Sequence, residues 1–232
     1  MISQPMYFPW VGMLEQMRLA DVFVHLDDAQ YSKGGFLNRV QVKTQQGSSW
    51  ITVPLEESKL GQAINETQCA SYDWQRKHLA TLRQVYARAP HMDEMLNLAE
   101  SVFDQETDSL AGLSVASMRA LADFFDITPE EMQWASRIDV EGTSSRRVLA
   151  LCQEAGAERY ITGHGAGAYL DHEIFERVGI RVEYMEYQKR AYSQLHGEFT
   201  PFVSGLDLVA NCGKNGREVI DSRTVYWKDF LK

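Results

Sequence analysis

Two serines followed by two arginines, in the stretch GTSSRRVLALC, have the composition of an anion-binding helix start. The apolar spacing after them predicts a helix that begins near Ser144, with a hydroxyl residue as its cap. Ser144 and Ser145 would then lie beside unpaired backbone N–H groups, with Arg146 and Arg147 in the first turn. A bound phosphate would offset the unfavourable placement of cations at the positive end of the helix dipole. Ion pairs between both arginines and surface carboxylates are the alternative.

A second candidate for phosphate binding is the glycine-rich loop in ITGHGAGAYLDH. A strand that runs into glycines and then a helix lets backbone N–H groups approach a ligand, and Gly163 and Gly165 are the candidate contacts. The loop matches neither a P-loop nor the dinucleotide fingerprint, and a tight connection without a ligand is the alternative. His164 follows the predicted strand at the edge where open α/β sheets bind ligands, so it is a candidate proton carrier.

Three more residues are candidates for catalysis. Asp27 and Asp28 end the predicted strand DVFVHLDD, where a carboxylate could hold a metal, a ribose or an amine, and a solvated turn is the alternative. His196, beside Gly197, is a second candidate base. Asp207 is given a structural role instead, because Ser204-x-x-Asp207 before an apolar helix predicts a capping box.

The acidic balance of the chain limits its partners. Asp and Glu number 32 against 23 Lys and Arg, which gives a net charge of −9 and argues against general nucleic-acid binding. The three cysteines are widely separated in sequence, which favours a reducing compartment. We find no signal-peptide pattern and no run of 18 apolar residues, so we predict a cytoplasmic protein without a membrane span.

Strand and helix patterns alternate along both ends of the chain, which predicts an α/β fold with an open, mainly parallel sheet. Three helical patterns in residues 74–125 predict an inserted helical subdomain. The predicted division is an α/β domain formed by residues 1–73 and 131–232, with residues 74–130 as the helical insertion. The predicted strands are DVFVHLDD, FLNRVQVKT, SSWITVPL, ERYITG and RVEYMEY, and the predicted flanking helices are VGMLEQMRLA, SSRRVLALCQEAGA, DHEIFERVG and SGLDLVANCG.

Several of these segments together resemble the WbqC-like family of bacterial surface-polysaccharide assembly. The resemblance implies a biosynthetic enzyme of the O-antigen type, and family members are described as glycine transferases. Many relatives have a histidine before the Gln-Pro pair, whereas this chain has Ser3, so no catalytic role is carried over to that position. The matching segments are QPMYFPWVG, ADVFVHLDDAQYSKGGFLNRVQVKT, WITVPL, RYITGHGAGAYLDHEIFERVGI, VEYMEY, QLHGEFTP and LDLVANCG.

The opening of the chain also looks like that of the nucleotidylyltransferase superfamily and pantothenate synthetase, although their His-x-Gly-His turn is absent. This similarity implies that Tyr7, Trp10 and backbone amides shape a nucleotide pocket, within a turn stiffened by two prolines. Packing of these aromatic residues into the core is the alternative. The candidate substrate-binding residues are Gln4, Tyr7, Trp10, Gln30, Lys33, Asn38 and Arg39.

The leading hypothesis is transfer of an aminoacyl group, such as glycine, to the amine of a nucleotide-linked amino sugar or another phosphorylated small molecule. Residues 144–147 would hold phosphate, His164 or His196 would accept the amine proton, and Asp27 or Asp28 would orient the amine. An ATP-dependent small-molecule ligase or nucleotidylyltransferase and a non-catalytic sugar-nucleotide-binding protein are the alternatives. The sequence leaves open whether ATP and magnesium are cofactors, and it leaves the oligomeric state open.

Overall fold

The computed structural model describes residues 1–57, 59, 61–105 and 107–232, and it has a mixed α/β architecture. The strands are β1 (Ile2–Ser3), β2 (Val22–His25), β3 (Arg39–Thr44), β4 (Gly47–Thr52), β5 (Glu131–Trp134), β6 (Arg159–Thr162), β7 (Arg181–Glu186) and β8 (Arg223–Tyr226). The helices are α1 (Val11–Arg18), α2 (Gln75–Val85), α3 (Met92–Phe103), α4 (Leu110–Phe124), α5 (Ser144–Glu154), α6 (His172–Arg177), α7 (Gly205–Cys212) and α8 (Trp227–Phe230).

The strands form two three-stranded sheets and one hairpin. The first sheet is parallel, in the order β1–β2–β5, and the second has the order β6–β7–β8, with β6 parallel and β8 antiparallel to β7. β3 and β4 pair as an antiparallel hairpin. The predicted α/β class and parallel pairing are therefore confirmed, but within the described ranges no backbone ladder joins β1 to β6 into one open sheet. β1 is only two residues long and soon meets Pro5, which has no N–H to extend a ladder.

Three of the eight strands in the described ranges, β1, β5 and β8, were not predicted from the spacing of apolar residues, and neither was α8. β5 has the sequence EMQW and β8 has the sequence RTVY, and each is four residues long with no fully buried side chain. Such short segments carry neither a long apolar run nor a clear alternation, which are the signals that predict a strand. The other five strands and the helices α1 to α7 lie where the spacing of apolar residues predicted them.

β2 forms the centre of the parallel sheet and is covered on both faces. Phe23 packs in the main hydrophobic cluster with α1, whereas Val24 packs on the opposite face against Leu151 of α5. This burial on both faces is typical of parallel sheets in α/β proteins. At the last register position His25 lies between Ser3 of β1 and Trp134 of β5, and burial lowers the pKa of its imidazole to about 4.

The proline-rich opening stretch is part of the core. Tyr7 and Phe8 are 2% and 0% exposed. The Phe8 N–H donates to Ser117 Oγ of α4 at 2.8 Å, and the Phe8 carbonyl accepts from Ser204 Oγ at 2.8 Å. The N–H of Gly205, which begins α7, donates to the Pro9 carbonyl at 2.7 Å. The stiff stretch therefore ties the start of α1 to α4 and α7, and its two buried aromatic side chains fill the space between them.

The helices α2, α3 and α4 share one hydrophobic cluster with α1, α7 and the β3–β4 hairpin. Apolar contacts therefore continue between the residues of the expected insertion and those of the α/β part. The boundaries at 73/74 and 130/131 stay predictions. None of the helices in the described part of the chain combines the length and the apolar character needed to cross a lipid bilayer.

A substitution of Gly12, in the first turn of α1, tests the packing of the opening stretch. A Cβ at this position would lie 2.4 Å from Trp10 Cη2, and that ring is held between Tyr187 and Phe202 at centroid distances of 5.0 and 5.8 Å. We expect Gly12→Ala to lower the free energy of unfolding by about 1–3 kcal/mol, measured by urea denaturation. Helix propensity alone would favour alanine by up to about 1 kcal/mol, so the sign of the change separates the two effects.

The matched control is Gly165→Ala, because no atom lies within 4 Å of a Cβ at Gly165. Equal or higher stability of the Gly12 variant would show that the Trp10 ring moves aside at no cost.

A buried carboxyl group on α1 makes stability depend on pH. Glu15 is 0% exposed, and neither of its oxygens has a hydrogen-bond partner among the described residues. Arg18, one turn later, donates instead to the Ser222 carbonyl at 2.6 Å. Burial raises the pKa of Glu15 from 4.5 to about 8, although the positive charge of Arg18 acts in the opposite direction. The folded protein therefore holds a proton on Glu15 at neutral pH.

We expect the free energy of unfolding to fall as pH rises from about 4.5 to about 8, because the unfolded state loses the Glu15 proton first. Glu15→Gln removes this dependence and should stabilise the protein by a few kcal/mol at and above pH 8, at about 1.4 kcal/mol per pKa unit. Urea unfolding across this range, with the exposed Glu154→Gln as the control, measures the difference. A constant difference between wild type and Glu15→Gln at all pH values would contradict the expectation.

Candidate functional site

Ser145 joins the two loops that the sequence marked as phosphate-binding candidates. Its hydroxyl donates to the Tyr169 carbonyl at 3.3 Å and accepts from the Asp171 N–H at 2.9 Å. Ser145 is only 7% exposed, so these hydrogen bonds are largely shielded from water. The first turn of α5 and the end of the glycine-rich loop are therefore held against each other.

Arg147 connects the first turn of α5 to the end of β2. Its Nη2 donates to Asp28 Oδ2 at 2.7 Å and to the Ala135 carbonyl at 3.3 Å. The side chains of Arg147 and Asp28 are 18% and 31% exposed. For this arginine the structure shows the ion pair that was the alternative to phosphate binding. Arg147 thus holds together the segments that follow β2 and β5.

Ser144 and Arg146 lie on the exposed side of the same helix start. Ser144 has a φ of +52°, and Gly142 before it has a φ of +119° and packs against the backbone of Arg147. Thr143 is the N-cap residue but makes no side-chain cap bond, so the expected hydroxyl cap is not formed. Backbone N–H groups at this helix start therefore lack a side-chain acceptor from their own N-cap residue.

The glycine-rich loop turns directly after β6. His164–Ala168 forms a 3-10 turn, and Gly163 before it lies beside Gln16 of α1. Nε2 of His164 lies 2.7 Å from the Met185 carbonyl. Because a carbonyl only accepts, Nε2 carries a hydrogen in this contact, and Nδ1 of the neutral ring is the acceptor. Gly165 has open space on its Cβ side, so the loop leaves room beside His164.

The Asp27 carboxylate is already hydrogen-bonded to other residues of the protein. Asp27 is 1% exposed, and its carboxylate accepts from the Ser136 N–H at 3.0 Å, from Ser136 Oγ at 2.6 Å and from Asn65 Nδ2 at 3.3 Å. These bonds hold the turn after β5 against the turn after β2. In the described ranges, no three His, Cys, Asp or Glu side chains are grouped so that they could hold a metal ion.

His196 lies with the helical region. Its Nε2 is 3.1 Å from the Val85 carbonyl at the end of α2, and its φ is +67°. His164 begins the loop whose end Ser145 holds against α5, whereas the described contacts of His196 lead to α2. Between the two candidate bases, the geometry therefore favours His164.

Three of the candidate substrate-binding residues are held by the protein itself. The Tyr7 hydroxyl is 2.9 Å from His78 Nδ1 in the core. Asn38 donates to the Val53 carbonyl at 2.9 Å. Arg39 donates to the carbonyls of residues 34 and 35, and its guanidinium carbon lies 4.1 Å from the centroid of the Trp50 ring. These contacts account for the three side chains without a ligand.

The other four members of the substrate-binding set have accessible surface. Trp10 is half-buried against Tyr187, and Gln4 is half-buried directly after β1. Gln30 and Lys33 are exposed in the segment that follows Asp28. Gln30 and Lys33 are thus two and five residues from Asp28.

A buried polar cluster was missed at the sequence level because Asp207 was interpreted as part of a capping box. That interpretation is wrong for the Asp207 side chain. Ser204 Oγ caps α7 alone by accepting from the Leu206 N–H at 3.1 Å. The Asp207 carboxylate, 0% exposed, accepts from the hydroxyls of Tyr86 and Tyr192, each at 2.9 Å. Burial raises the pKa of Asp207, and these two hydrogen bonds oppose that rise.

Lys43 extends this cluster to the loop that contains His196. Its Nζ donates to Gln194 Oε1, the Gly197 carbonyl and the Glu198 carbonyl, and the residue is only 4% exposed. Alternation along β3 placed Lys43 on one face with Arg39, but the sequence does not show that the 194–198 loop covers that face. The sequence carries no signal that this lysine is buried, because Arg39 and Gln41 share its face of β3.

Comparisons with known proteins agree with the resemblance found in the sequence. A family model described as the WbqC-like protein family matches residues 4–219. "Uncharacterized protein Rv1507c" of Mycobacterium tuberculosis (strain ATCC 25618 / H37Rv) is 35% identical over 217 residues, which cover 91% of this chain and 93% of that protein. No solved structure matches the chain. The chain therefore belongs to the WbqC-like protein family.

Proposed function

We propose that the chain is a biosynthetic enzyme that transfers an aminoacyl group, such as glycine, to the amine of a nucleotide-linked amino sugar. The observation that carries the proposal is the junction of three loops through Ser145 and Arg147. These loops follow β2, β5 and β6, and α/β proteins bind ligands where loops meet at the carboxyl ends of parallel strands. Family membership supports a biosynthetic role, and the substrate class is our inference.

The phosphate groups of the sugar nucleotide would bind at the start of α5. Arg146 is exposed there, beside the Ser144 hydroxyl and the first backbone N–H groups of an 11-residue helix. Guanidinium and backbone N–H groups both donate to phosphate oxygens, and the helix dipole favours the negative charge. Arg147, already paired with Asp28, positions the loop and is not assigned to phosphate.

His164 would accept the proton of the reacting amine. The amine nitrogen forms a bond to the acyl carbon of an ester or thioester donor, and the bond from that carbon to the leaving group breaks. The leaving group departs with the electron pair, and the amine proton passes to His164 Nδ1. The imidazolium that forms is stabilised by the hydrogen bond from Nε2 to the Met185 carbonyl.

The described acids do not fit a magnesium site. Both oxygens of Asp27 accept from protein donors, and Asp28 is paired with Arg147. We therefore assign no step to a metal ion, and Asp28 is proposed to orient the amine through its exposed surface.

The proposal also assigns the α/β part of the chain to a specific type of fold. Residues 1–73 and 131–232 would form a nucleotidylyltransferase-like body, with residues 74–130 inserted as helices. Support comes from two parallel strand pairs that are each connected through a helix, β1 to β2 through α1 and β6 to β7 through α6.

Calorimetric titration with UDP-N-acetylglucosamine, a dTDP-amino sugar and ATP tests the phosphate site. We expect a sugar nucleotide to bind wild type and Arg146→Ala to weaken that binding about tenfold or more, the loss of one charge-assisted contact. The control is Arg76→Ala on α2, which removes another exposed arginine. Equal affinity of both variants for the sugar nucleotide would contradict a phosphate site at α5, and tight ATP binding that depends on Arg146 would favour a ligase.

The role of His164 is tested separately from binding. We expect His164→Gln to keep sugar-nucleotide affinity and to reduce glycyl transfer by roughly two to four powers of ten, measured with a radiolabelled glycyl thioester donor. His91→Gln, on the turn before α3, is the control. Unchanged transfer by His164→Gln would remove the histidine from the mechanism, and binding with no transfer by any variant would favour a sugar-nucleotide-binding protein.

A further inference from the structure

The last segment of the chain folds back onto the glycine-rich loop. Residues 223–231, here called the C-terminal strap, comprise β8, α8 and Leu231 and lie beyond residue 219, where the family match ends. β8 pairs with β7 in antiparallel register, with Tyr226 opposite Glu183 and Arg223 opposite Glu186. β8 therefore runs toward the start of β7, and α8 folds back so that Phe230 lies against Tyr184 and His164.

The aromatic side chains of the strap pack against the site. The Phe230 ring stacks on Tyr184 at a centroid distance of 4.3 Å and an interplanar angle of 5°, and it lies 4.9 Å from the His164 ring. Trp227 stacks on His172 at 4.5 Å, and His172 Nε2 is 2.7 Å from the Tyr184 hydroxyl. One continuous set of aromatic contacts thus runs from the strap to the glycine-rich loop.

The strap is also held by a carboxylate. Glu176 on α6 accepts from the Tyr226 hydroxyl, from Trp227 Nε1 at 3.0 Å and from Lys228 Nζ at 3.0 Å. Three donors from consecutive strap residues therefore converge on one side chain. This anchoring fixes the start of α8 and hence the position of Phe230 at its end.

We propose that the strap is a positioning element of the candidate site and that Phe230 acts by holding the His164 imidazole in place. The His164 side chain is exposed in a short turn between two glycines, and its one described hydrogen bond, from Nε2 to the Met185 carbonyl, is lost when the ring rotates. Phe230 packs against the ring and opposes this rotation, so that Nε2 stays bonded to the Met185 carbonyl and Nδ1 keeps one direction. This inference rests on the proposed function because it assigns His164 as the proton acceptor.

The test is Phe230→Ala, with Phe230→Tyr as the conservative rescue. Long-range proton–nitrogen NMR of the His164 ring should show one Nε2-protonated tautomer in wild type and in Phe230→Tyr, and a mixture in Phe230→Ala. Turnover should fall by up to about 10²-fold in Phe230→Ala, the cost of misplacing a reacting group by 1 Å, while affinity for the dTDP-amino sugar stays within about twofold. Leu231→Ala, in the strap but against Gly167, is the matched control.

The outcomes distinguish a failure of the positioning role of Phe230 from a failure of His164 as the base. An unchanged tautomer in Phe230→Ala would overturn the inference, even if His164→Gln abolishes transfer. A tautomer mixture in Phe230→Ala together with full activity of His164→Gln would support the positioning role and reject His164 as the base. If Phe230→Ala fails to fold, Phe230→Leu, which keeps an apolar side chain without an aromatic face, gives the same readout, and an unchanged tautomer there would overturn the inference.

Discussion

The Ser145 hydroxyl is the contact on which the geometry of the candidate site depends. A hydroxyl both donates and accepts, so one small side chain holds the Tyr169 carbonyl and the Asp171 N–H at the same time. A carboxylate could only accept there and an ammonium could only donate, and either would place a charge in a shielded position. Because the hydroxyl is neutral, the start of α5 and the glycine-rich loop meet without adding charge beside the proposed phosphate site.

Local patterns in the sequence were sufficient to predict most of the elements and the composition of the two loops. They predicted which residues begin α5 and which glycines follow β6, since both depend on neighbouring residues alone. They did not show that Arg147 already has Asp28 as a partner, because the two residues are 119 positions apart. A polar side chain can be recognised in a sequence, but whether it is already satisfied depends on the folded partners around it.

The same limit explains the error at Asp207 and the two alternatives that the sequence left open for the opening stretch. The spacing between Ser204 and Asp207 is that of a capping box, yet the carboxylate meets Tyr86, which is 121 positions away. The aromatic opening suggested a pocket wall, whereas Tyr7 and Phe8 fill the core that α4 and α7 create. Burial in each case is set by elements brought in from a distance. Short strands such as β5 and β8 depend on pairing partners in the same way and carry little signal of their own.

The separation of the two sheets has a mechanical consequence. Asp28 follows a strand of the first sheet and His164 follows a strand of the second, and in the described residues no backbone ladder crosses between β1 and β6. Side chains make the crossing instead, including Ile2, which packs against the clusters on both sides. Side-chain contacts between two sheets resist relative movement of the sheets less than a ladder of backbone hydrogen bonds does. The spacing between the two halves of the site therefore depends on side-chain contacts, whereas each sheet is held by its own backbone hydrogen bonds.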